Sequence, residues 1–259
     1  LFSINFAAYF LILTKKWREA LASDELRFFL SVVAGATAII TLANLGVYAS
    51  VWESLRYTAF QVASIISTTG FGTADFVLWP KFSQMIIVLL MFCGASAGST
   101  GGGMKCSRVL ILLRTIRREV HRITHPRSVE VVKLDGKLVG ESTLHSLLVF
   151  LGAYVMTIFA AALIISLDGE SFAVSFSAAL TCVSNVGPGL EAIGPSGNFA
   201  AFSGLSKGIG LLYSTPMENK FLKTGNMTSK GNPGMLWKGR SLLPKMAYPG
   251  WQMPPPGKF

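Results

Sequence analysis

Charged side chains are scarce in this sequence. Only 14% of its 259 residues are Asp, Glu, Lys or Arg, whereas 51% are hydrophobic and the mean hydropathy is +0.51. A single soluble core of this size does not bury so much apolar surface. The composition therefore predicts a membrane protein surrounded by membrane lipids.

Cysteine and histidine are also few, which limits the chemistry that the chain can perform. Cys93, Cys106 and Cys182 form no CxxC pair and lie in or beside apolar segments, so they predict neither a disulfide framework nor a zinc site. The three histidines lack metal-ligand spacing, and no paired carboxylates or nucleophile with a base suit catalysis. We therefore expect the cysteines to be small apolar fillers and the protein not to be an enzyme.

The net charge of +10 comes from basic residues that cluster between apolar runs. In a soluble chain such an excess would suggest a nucleic-acid partner, but in a membrane protein basic clusters mark the cytoplasmic side. We expect no nucleic acid and a cytoplasmic position for two clusters: Lys15, Lys16 and Arg18, and Arg114, Arg117, Arg118 and Arg122.

Three long apolar runs predict membrane helices. Leu1 to Leu13 is typical of the end of a helix that began upstream, so we expect an N-terminal portion to be missing. Phe28 to Val51 contains no Asp, Glu, Lys or Arg and, at about 1.5 Å per residue, crosses a hydrocarbon core of roughly 30 Å. Leu144 to Leu167 is the next spanning helix, in the outward direction.

Two shorter segments, Glu53 to Ser67 and Glu170 to Ser184, predict re-entrant helices, each followed by a loop with glycines. The loops, Ser67–Gly72 and Ser184–Gly189, are 117 residues apart and align in register. Glycine lets consecutive carbonyls point the same way, which is how a chain replaces the water shell of a cation. Taken alone, Ser67–Gly72 is equally typical of an ordinary turn; the repeat favours a selectivity filter.

These segments predict an all-α multi-pass membrane protein built from repeated helix, re-entrant pore loop, helix units. Two crossings separate the two loops, so both units have the same orientation and the repeat axis lies along the membrane normal.

A glycine-rich stretch interrupts the inward helix that the apolar run from Phe82 to Leu113 predicts. Each glycine costs a helix interior roughly 1 kcal/mol against alanine, so Gly94–Lys105 predicts a break at membrane depth, beneath the filter. A phosphate-binding loop is rejected because Met104 separates Gly103 from Lys105; close helix packing through small residues stays an alternative. Lys105 either reaches cytoplasmic water or forms a positive barrier in the cation path.

The remaining segments complete the predicted organisation. Val129 to Leu134 alternates before Asp135-Gly136, which predicts a cytoplasmic hairpin. No apolar run after Ser214 approaches a span, and prolines, glycines and lysines predict disorder there. The expected divisions are 1–27 (end of a membrane helix and link), 28–122 (pore unit), 123–143 (cytoplasmic connection), 144–207 (partial pore unit, its last helix absent or defective) and 208–259 (irregular, disordered or non-native tail).

Three motifs together, Ser67–Asp75, Gly94–Lys105 and Ser184–Gly189, resemble the Trk, Ktr and HKT superfamily of potassium transporters, and most of all its bacterial TrkH members. The resemblance covers about residues 1–207. It implies four pore units around one pore, of which this chain would hold the third and fourth and the tail of the second.

The resemblance also implies the site residues. The carbonyls of Thr68, Thr69, Asn185 and Val186 would contact potassium, with Gly70 and Gly187 as the filter glycines. The implied gating loop runs beneath them and contains Gly94, Gly98, Gly101, Gly102, Gly103 and Lys105. After about Lys207 the sequence departs from the family, so no position matches an arginine that the family carries in its last helix.

Potassium uptake in the bacterial inner membrane is the function that the resemblance implies, with potassium as cargo and no organic cofactor in this chain. It further implies a homodimer regulated by a cytoplasmic TrkA-type nucleotide-binding subunit. Two rivals stay open: a non-conducting fragment or assembly subunit, and a membrane enzyme that uses the glycine-rich loop as a phosphate site.

Overall fold

The computed structural model describes residues 3–125 and 130–213, so the expected tail from 214 onward lies outside the described residues. Its elements are helices joined by turns, with one small hairpin. The α-helices are α1 (Phe6–Leu13), α2 (Trp17–Ala22), α3 (Asp24–Ala43), α4 (Val51–Ile66), α5 (Lys81–Cys93), α6 (Cys106–Thr124), α7 (Glu141–Ile165), α8 (Phe172–Ser184) and α9 (Gly204–Tyr213).

The two longest helices begin 117 residues apart, α3 at Asp24 and α7 at Glu141. They are the two described helices that are long and apolar enough to cross a membrane. A shorter helix packs against each, α4 on α3 and α8 on α7, and a further helix follows, α5 on α4 and α9 on α8. The predicted repeat of helical units is therefore present in the fold.

The predicted break in the inward helix is confirmed. Helix α5 ends at Cys93, α6 begins at Cys106, and the residues between them form turns without helix. Gly94, Gly98 and Gly103 have positive φ angles of 68°, 72° and 77°, a region that glycine adopts without steric cost. We call residues 94–105 the glycine loop.

The first spanning helix ends at Ala43, so the predicted end at Val51 is wrong. Asn44 caps the helix, its N–H donating to the Ile40 carbonyl at 2.9 Å, and its side chain is buried. The Oδ1 atom of Asn44 accepts a hydrogen bond of 2.8 Å from Ser83 on α5. This polar contact between helices fixes the chain where apolarity alone predicts that the helix continues.

The expectation of irregular structure from residue 208 is wrong for 208–213, because α9 extends to Tyr213. The hydroxyl of Ser203 accepts a hydrogen bond of 3.3 Å from the Ser206 N–H, which caps the helix start. The helix packs on α8 and α7, and a Cβ added to Gly210 would lie 3.3 Å from the Cys182 sulfur. Tertiary packing outweighs the poor helix propensity of the glycines.

The predicted hairpin is confirmed. Strand β1 (Lys133–Leu134) pairs antiparallel with β2 (Lys137–Leu138). Asp135 and Gly136 have φ angles of 49° and 75°, the combination that a two-residue type I′ turn requires. The Asp135 carboxylate accepts a hydrogen bond of 2.6 Å from the Asp24 N–H, so the hairpin lies at the start of α3.

Basic residues of α6 lie at the same end of the molecule. Arg114 contacts Asp24 at 2.9 Å, and Arg118 contacts Glu141 at 2.7 Å, so α6 reaches the first residues of both spanning helices. The hydrogen bond with Glu141 raises the pKa of Arg118 above its ordinary value, which keeps the guanidinium charged. Both spanning helices thus begin at an end of the molecule that is rich in arginine.

The apolar core lies where α5 packs on the short helices α4 and α8. Phe92 on α5 contacts Tyr154 on α7 and Phe176 on α8 with ring centroids 6.3 Å apart in each case. The core joins the two units and holds the ends of α4 and α8 close together. Its largest fully buried apolar side chains are Tyr154, Phe76, Ile40, Ile65, Ile66, Ile87, Met91, Ile158, Leu180 and Ile193.

Candidate functional site

The loops that follow α4 and α8 have the same backbone conformation. Thr68 and Asn185, which are 117 residues apart, have φ angles of 55° and 58°, and the predicted filter glycines Gly70 and Gly187 have φ angles of 78° and 115°. Thr69, between Thr68 and Gly70, and Val186, between Asn185 and Gly187, have no positive φ. When the sign of φ alternates in this way, consecutive carbonyls point toward one side of the chain. In a β-strand, by contrast, consecutive carbonyls point in opposite directions.

A backbone hydrogen bond is also repeated. The Thr69 N–H donates to the Ser64 carbonyl at 3.0 Å, and the Val186 N–H donates to the Thr181 carbonyl at 2.9 Å. Each donor follows its acceptor by five residues, so the amide groups of both loops point back at the helix that precedes them. The two loops are therefore structural copies.

The four predicted carbonyl ligands remain available. Within residues 3–125 and 130–213, the carbonyl oxygens of Thr68, Thr69, Asn185 and Val186 accept no hydrogen bond. The carboxyl ends of α4 and α8 immediately precede these oxygens, and the aligned peptide dipoles place partial negative charge there. Free carbonyls next to two such helix ends form an electrostatic environment that suits a cation.

The two loops contact each other directly. A Cβ added to Gly70 would lie 2.3 Å from the Val186 carbonyl oxygen, and one added to Gly187 would lie 3.9 Å from the Gly70 Cα. The segments that follow the two loops are also in contact, because the Ser196 hydroxyl donates a hydrogen bond to the Asp75 carboxylate. The structure thus brings together the predicted filter residues, which the sequence places more than 100 positions apart.

The glycine loop lies against both of these loops. A Cβ added to Gly101 would lie 3.2 Å from the Ser67 carbonyl oxygen, and one added to Gly102 would lie 2.2 Å from that of Ser184. The Gly102 N–H also donates to the Thr68 hydroxyl at 2.9 Å. Only a residue without a side chain fits at position 102, because the oxygen that a Cβ would meet belongs to the backbone.

Lys105 is buried, with 6% of its surface exposed, so the alternative in which it reaches cytoplasmic water is wrong. Its Nζ atom donates to the Gly101 carbonyl at 2.7 Å and to the Ser99 carbonyl at 3.2 Å. Its φ of 68° is unusual for a residue with a side chain. The ammonium group therefore holds the glycine loop in a folded conformation.

No group of three or more His, Cys, Asp or Glu side chains that could hold a metal ion occurs in the part of the chain that the structure describes. The ligands on offer are backbone oxygens, which suit hard, weakly bound cations.

Comparison with known proteins identifies the family. The model of the TrkH cation transport protein family matches residues 21–209. This chain belongs to the TrkH family. The Trk system potassium uptake protein TrkH of Salmonella typhimurium is 31% identical over 79% of this chain and 43% of its own length. The protein TrkG of Escherichia coli is 29% identical over 75% of this chain and 40% of its own.

A solved structure agrees with the TrkH assignment. The crystal structure of the potassium transporter TrkH from Vibrio parahaemolyticus matches with a TM-score of 0.74 and 27% identity, over 82% of this chain and 46% of that one. The helical membrane-protein fold predicted from the sequence is confirmed. The chain spans less than half the length of these relatives. The relatives are transport proteins, which agrees with the prediction that this chain is not an enzyme.

Sequence reasoning missed other residues that hold the glycine loop of this TrkH-family chain. Glu25, only 7% exposed, accepts a hydrogen bond from the Ala97 N–H. Near the N-terminus, the Ser3 carbonyl accepts a hydrogen bond of 2.9 Å from the Ser96 N–H. The signal available in the sequence was the carboxylate of Glu25 at the head of a long apolar run, where a charge needs a partner.

Tyr154 is a second residue that the sequence did not reveal. Its hydroxyl and that of Ser184 are 2.7 Å apart and buried, so α7 is hydrogen-bonded to the last residue of α8. Asn185, the first predicted ligand of this loop, follows directly. Tyr154 is therefore a positioning residue for the second loop.

Proposed function

We propose that this chain contributes two of the pore loops of a potassium uptake protein. Potassium is its cargo, and the carbonyls of Thr68, Thr69, Asn185 and Val186 replace part of the ion's hydration shell. The proposal extends what the names of the TrkH and TrkG relatives say of those proteins.

The observation that carries this proposal is the pair of equivalent loops whose carbonyl oxygens have no other partner among the described residues. An ordinary turn at the end of a helix would use its αL residue once to satisfy the helix carbonyls. Here the positive φ recurs two residues later in both loops, which keeps successive oxygens on one side. Selectivity follows because the loops fix the number and orientation of these dipoles.

We further propose that the glycine loop is the gate. It lies against the carbonyls of Ser67 and Ser184, and the buried Lys105 ammonium binds the carbonyl of Gly101, one of the residues that make this contact. A charge at about 4 Å from an ion repels it by roughly 4 kcal/mol at an effective dielectric constant of 20. Conduction then requires the glycine loop to move, and the hydrogen bonds of Lys105 and Glu25 set the cost of that movement.

Partners and location complete the proposal. We place the protein in the bacterial inner membrane as a homodimer that binds a cytoplasmic TrkA-type nucleotide-binding subunit. The arginine-rich helix α6 and the hairpin beside it form the end of the molecule that such a subunit would reach. Any nucleotide would bind to that subunit.

The test replaces Gly187 by serine in the full chain, reconstituted in liposomes, and measures the permeability of potassium relative to sodium. The site has room for a side chain, but the φ of 115° disfavours one. Backbone strain of about 1–2 kcal/mol predicts a loss of selectivity of roughly 5- to 30-fold.

Gly169 provides a matched control, since it also has a positive φ, of 79°, and open space around it, but lies outside the filter loops. Gly169→Ser should leave selectivity unchanged. Equal selectivity in Gly187→Ser and the parent would refute the filter assignment. Absence of potassium flux in the unmodified protein would favour a non-conducting assembly subunit.

A further inference from the structure

Two cysteines face each other across the base of the glycine loop. Cys93 is the last residue of α5 and Cys106 is the first residue of α6, and their sulfur atoms are 3.4 Å apart. Both are buried and in the reduced form. Both lie in the hydrophobic core, as expected of small apolar fillers, but their sulfur atoms also contact each other.

The backbone on either side of the pair is already held together. The Met104 N–H donates to the Phe92 carbonyl at 3.2 Å, and the Cys106 N–H donates to the Ala95 carbonyl at 2.9 Å. A Cβ added to Gly103 would lie 2.9 Å from the Gly94 Cα, so the two ends of the loop are in contact. A disulfide bond of about 2.05 Å therefore requires the sulfurs to approach by roughly 1.4 Å, with the surrounding backbone already in place.

We infer that Cys93 and Cys106 are a site of reversible disulfide formation that fastens the glycine loop closed when the cell meets a hydroperoxide. The closing effect rests on the proposed role of this loop as a gate, whereas formation of the disulfide does not.

The chemistry balances with one hydroperoxide. Cys93 is 9% exposed and Cys106 is fully buried, so the Cys93 sulfur reacts first. It attacks the terminal peroxide oxygen, the O–O bond breaks, and a sulfenic acid and one molecule of alcohol or water result. The Cys106 sulfur then attacks the sulfenic sulfur, the S–O bond breaks, and water leaves with the Cys106 proton. Two thiols are oxidised by two electrons and the peroxide is reduced by two.

The disulfide would close a loop of 14 residues, from Cys93 to Cys106, a constraint that shifts a conformational equilibrium by roughly 100-fold in the chain-entropy model. Movement of the glycine loop away from Ser184 and Thr68 must break the hydrogen bonds that hold its centre and must also displace its two ends, which the disulfide would join to each other. Potassium flux should fall by up to this factor in the oxidised protein.

The experiment treats the full chain in liposomes with hydrogen peroxide, blocks remaining thiols with maleimide in denaturant, and identifies the joined peptides by mass spectrometry. The expected product links Cys93 to Cys106 with the loss of two hydrogen atoms. Cys182→Ser should give the same product, since Cys182 lies on α8 away from the pair. Cys93→Ala should give none.

Rubidium flux is measured on the same samples. We expect peroxide to lower it in the parent, dithiothreitol to restore it, and Cys93→Ala to be unaffected by either. Complete maleimide labelling of both thiols after peroxide overturns the inference, and a linked product with unchanged flux overturns the fastening role. Failure of the proposed transport function gives a different result, because the reduced parent protein would then carry no rubidium.

Discussion

Replacing Lys105 by methionine removes the ammonium group while keeping a side chain of similar length and the same strained backbone. The Nζ atom donates at 2.7 Å to the Gly101 carbonyl and, more weakly, at 3.2 Å to that of Ser99. A hydrogen bond to a charged donor contributes about 1.5–3 kcal/mol, so loss of the shorter bond alone weakens the closed loop by that amount. The ratio of open to closed protein should rise roughly 10- to 140-fold.

The assay is rubidium uptake into liposomes containing the purified full chain, normalised to folded protein. Lys207→Met is the matched control, because the Lys207 ammonium also donates to a carbonyl, that of Ala200 at 2.8 Å, but on the exposed surface of α9. Flux that rises for Lys105→Met and not for Lys207→Met supports the gate. If well-folded Lys105→Met carries rubidium at or below the parent rate, Lys105 does not hold a gate closed.

Three further changes test the same contacts. Gly102→Ala places a Cβ 2.2 Å from a backbone oxygen, so the glycine loop should shift and rubidium flux should rise. Gly152→Ala is the control, since Gly152 has open space around it and its replacement should leave the flux unchanged. Lower flux in a folded Gly102→Ala protein would contradict the prediction. Glu25→Gln exchanges a carboxylate acceptor for an amide, which weakens the bond by about 1 kcal/mol and should raise flux roughly 5-fold, unlike the exposed Glu19→Gln. Tyr154→Phe removes a buried hydrogen bond of about 1 kcal/mol, so Tm should fall by about 2–4 °C and potassium selectivity should loosen; an unchanged Tm would argue against the bond.

The sequence was sufficient for the features that short stretches of chain determine. Uninterrupted apolar runs predicted the two spanning helices, because their length relative to a bilayer is read directly from the sequence. Consecutive glycines predicted the break between α5 and α6, and Asp135-Gly136 predicted the hairpin turn, because both depend on backbone conformations that few residues adopt.

Features that depend on distant contacts were not predicted. Helix α3 ends early because Asn44 meets Ser83 on another helix, and α9 forms because it packs on α8. Helix propensity assigns a free-energy cost to each glycine of α9, but it does not include the stabilisation that α9 gains by packing on α8. Helix ends and weakly helical segments are therefore where the prediction and the structure differ.

For the candidate site, the sequence identified the two loops and the glycine loop, but not how tightly they fit. The requirement for glycine at position 102 is explained only by the structure, which places the Ser184 carbonyl against it. The burial of Lys105 is likewise explained only by the carbonyl groups that its ammonium group contacts. A lysine at the end of a glycine-rich stretch is ordinarily exposed, so composition favours the wrong alternative. The partners that reverse this preference are backbone carbonyls, which are present in every sequence and thus carry no signal.

The strained residues in the two parts of the candidate site are held in different ways. Thr68 and Asn185 each adopt a positive φ at a cost of about 1–2 kcal/mol, and both loops repeat the backbone hydrogen bonds that hold this conformation. Lys105 bears the same strain, and its ammonium group adds hydrogen bonds to two carbonyls of the glycine loop. In the proposed function, the carbonyls fixed by repeated backbone hydrogen bonds keep their positions, while the glycine loop, whose centre is held largely through side chains, moves.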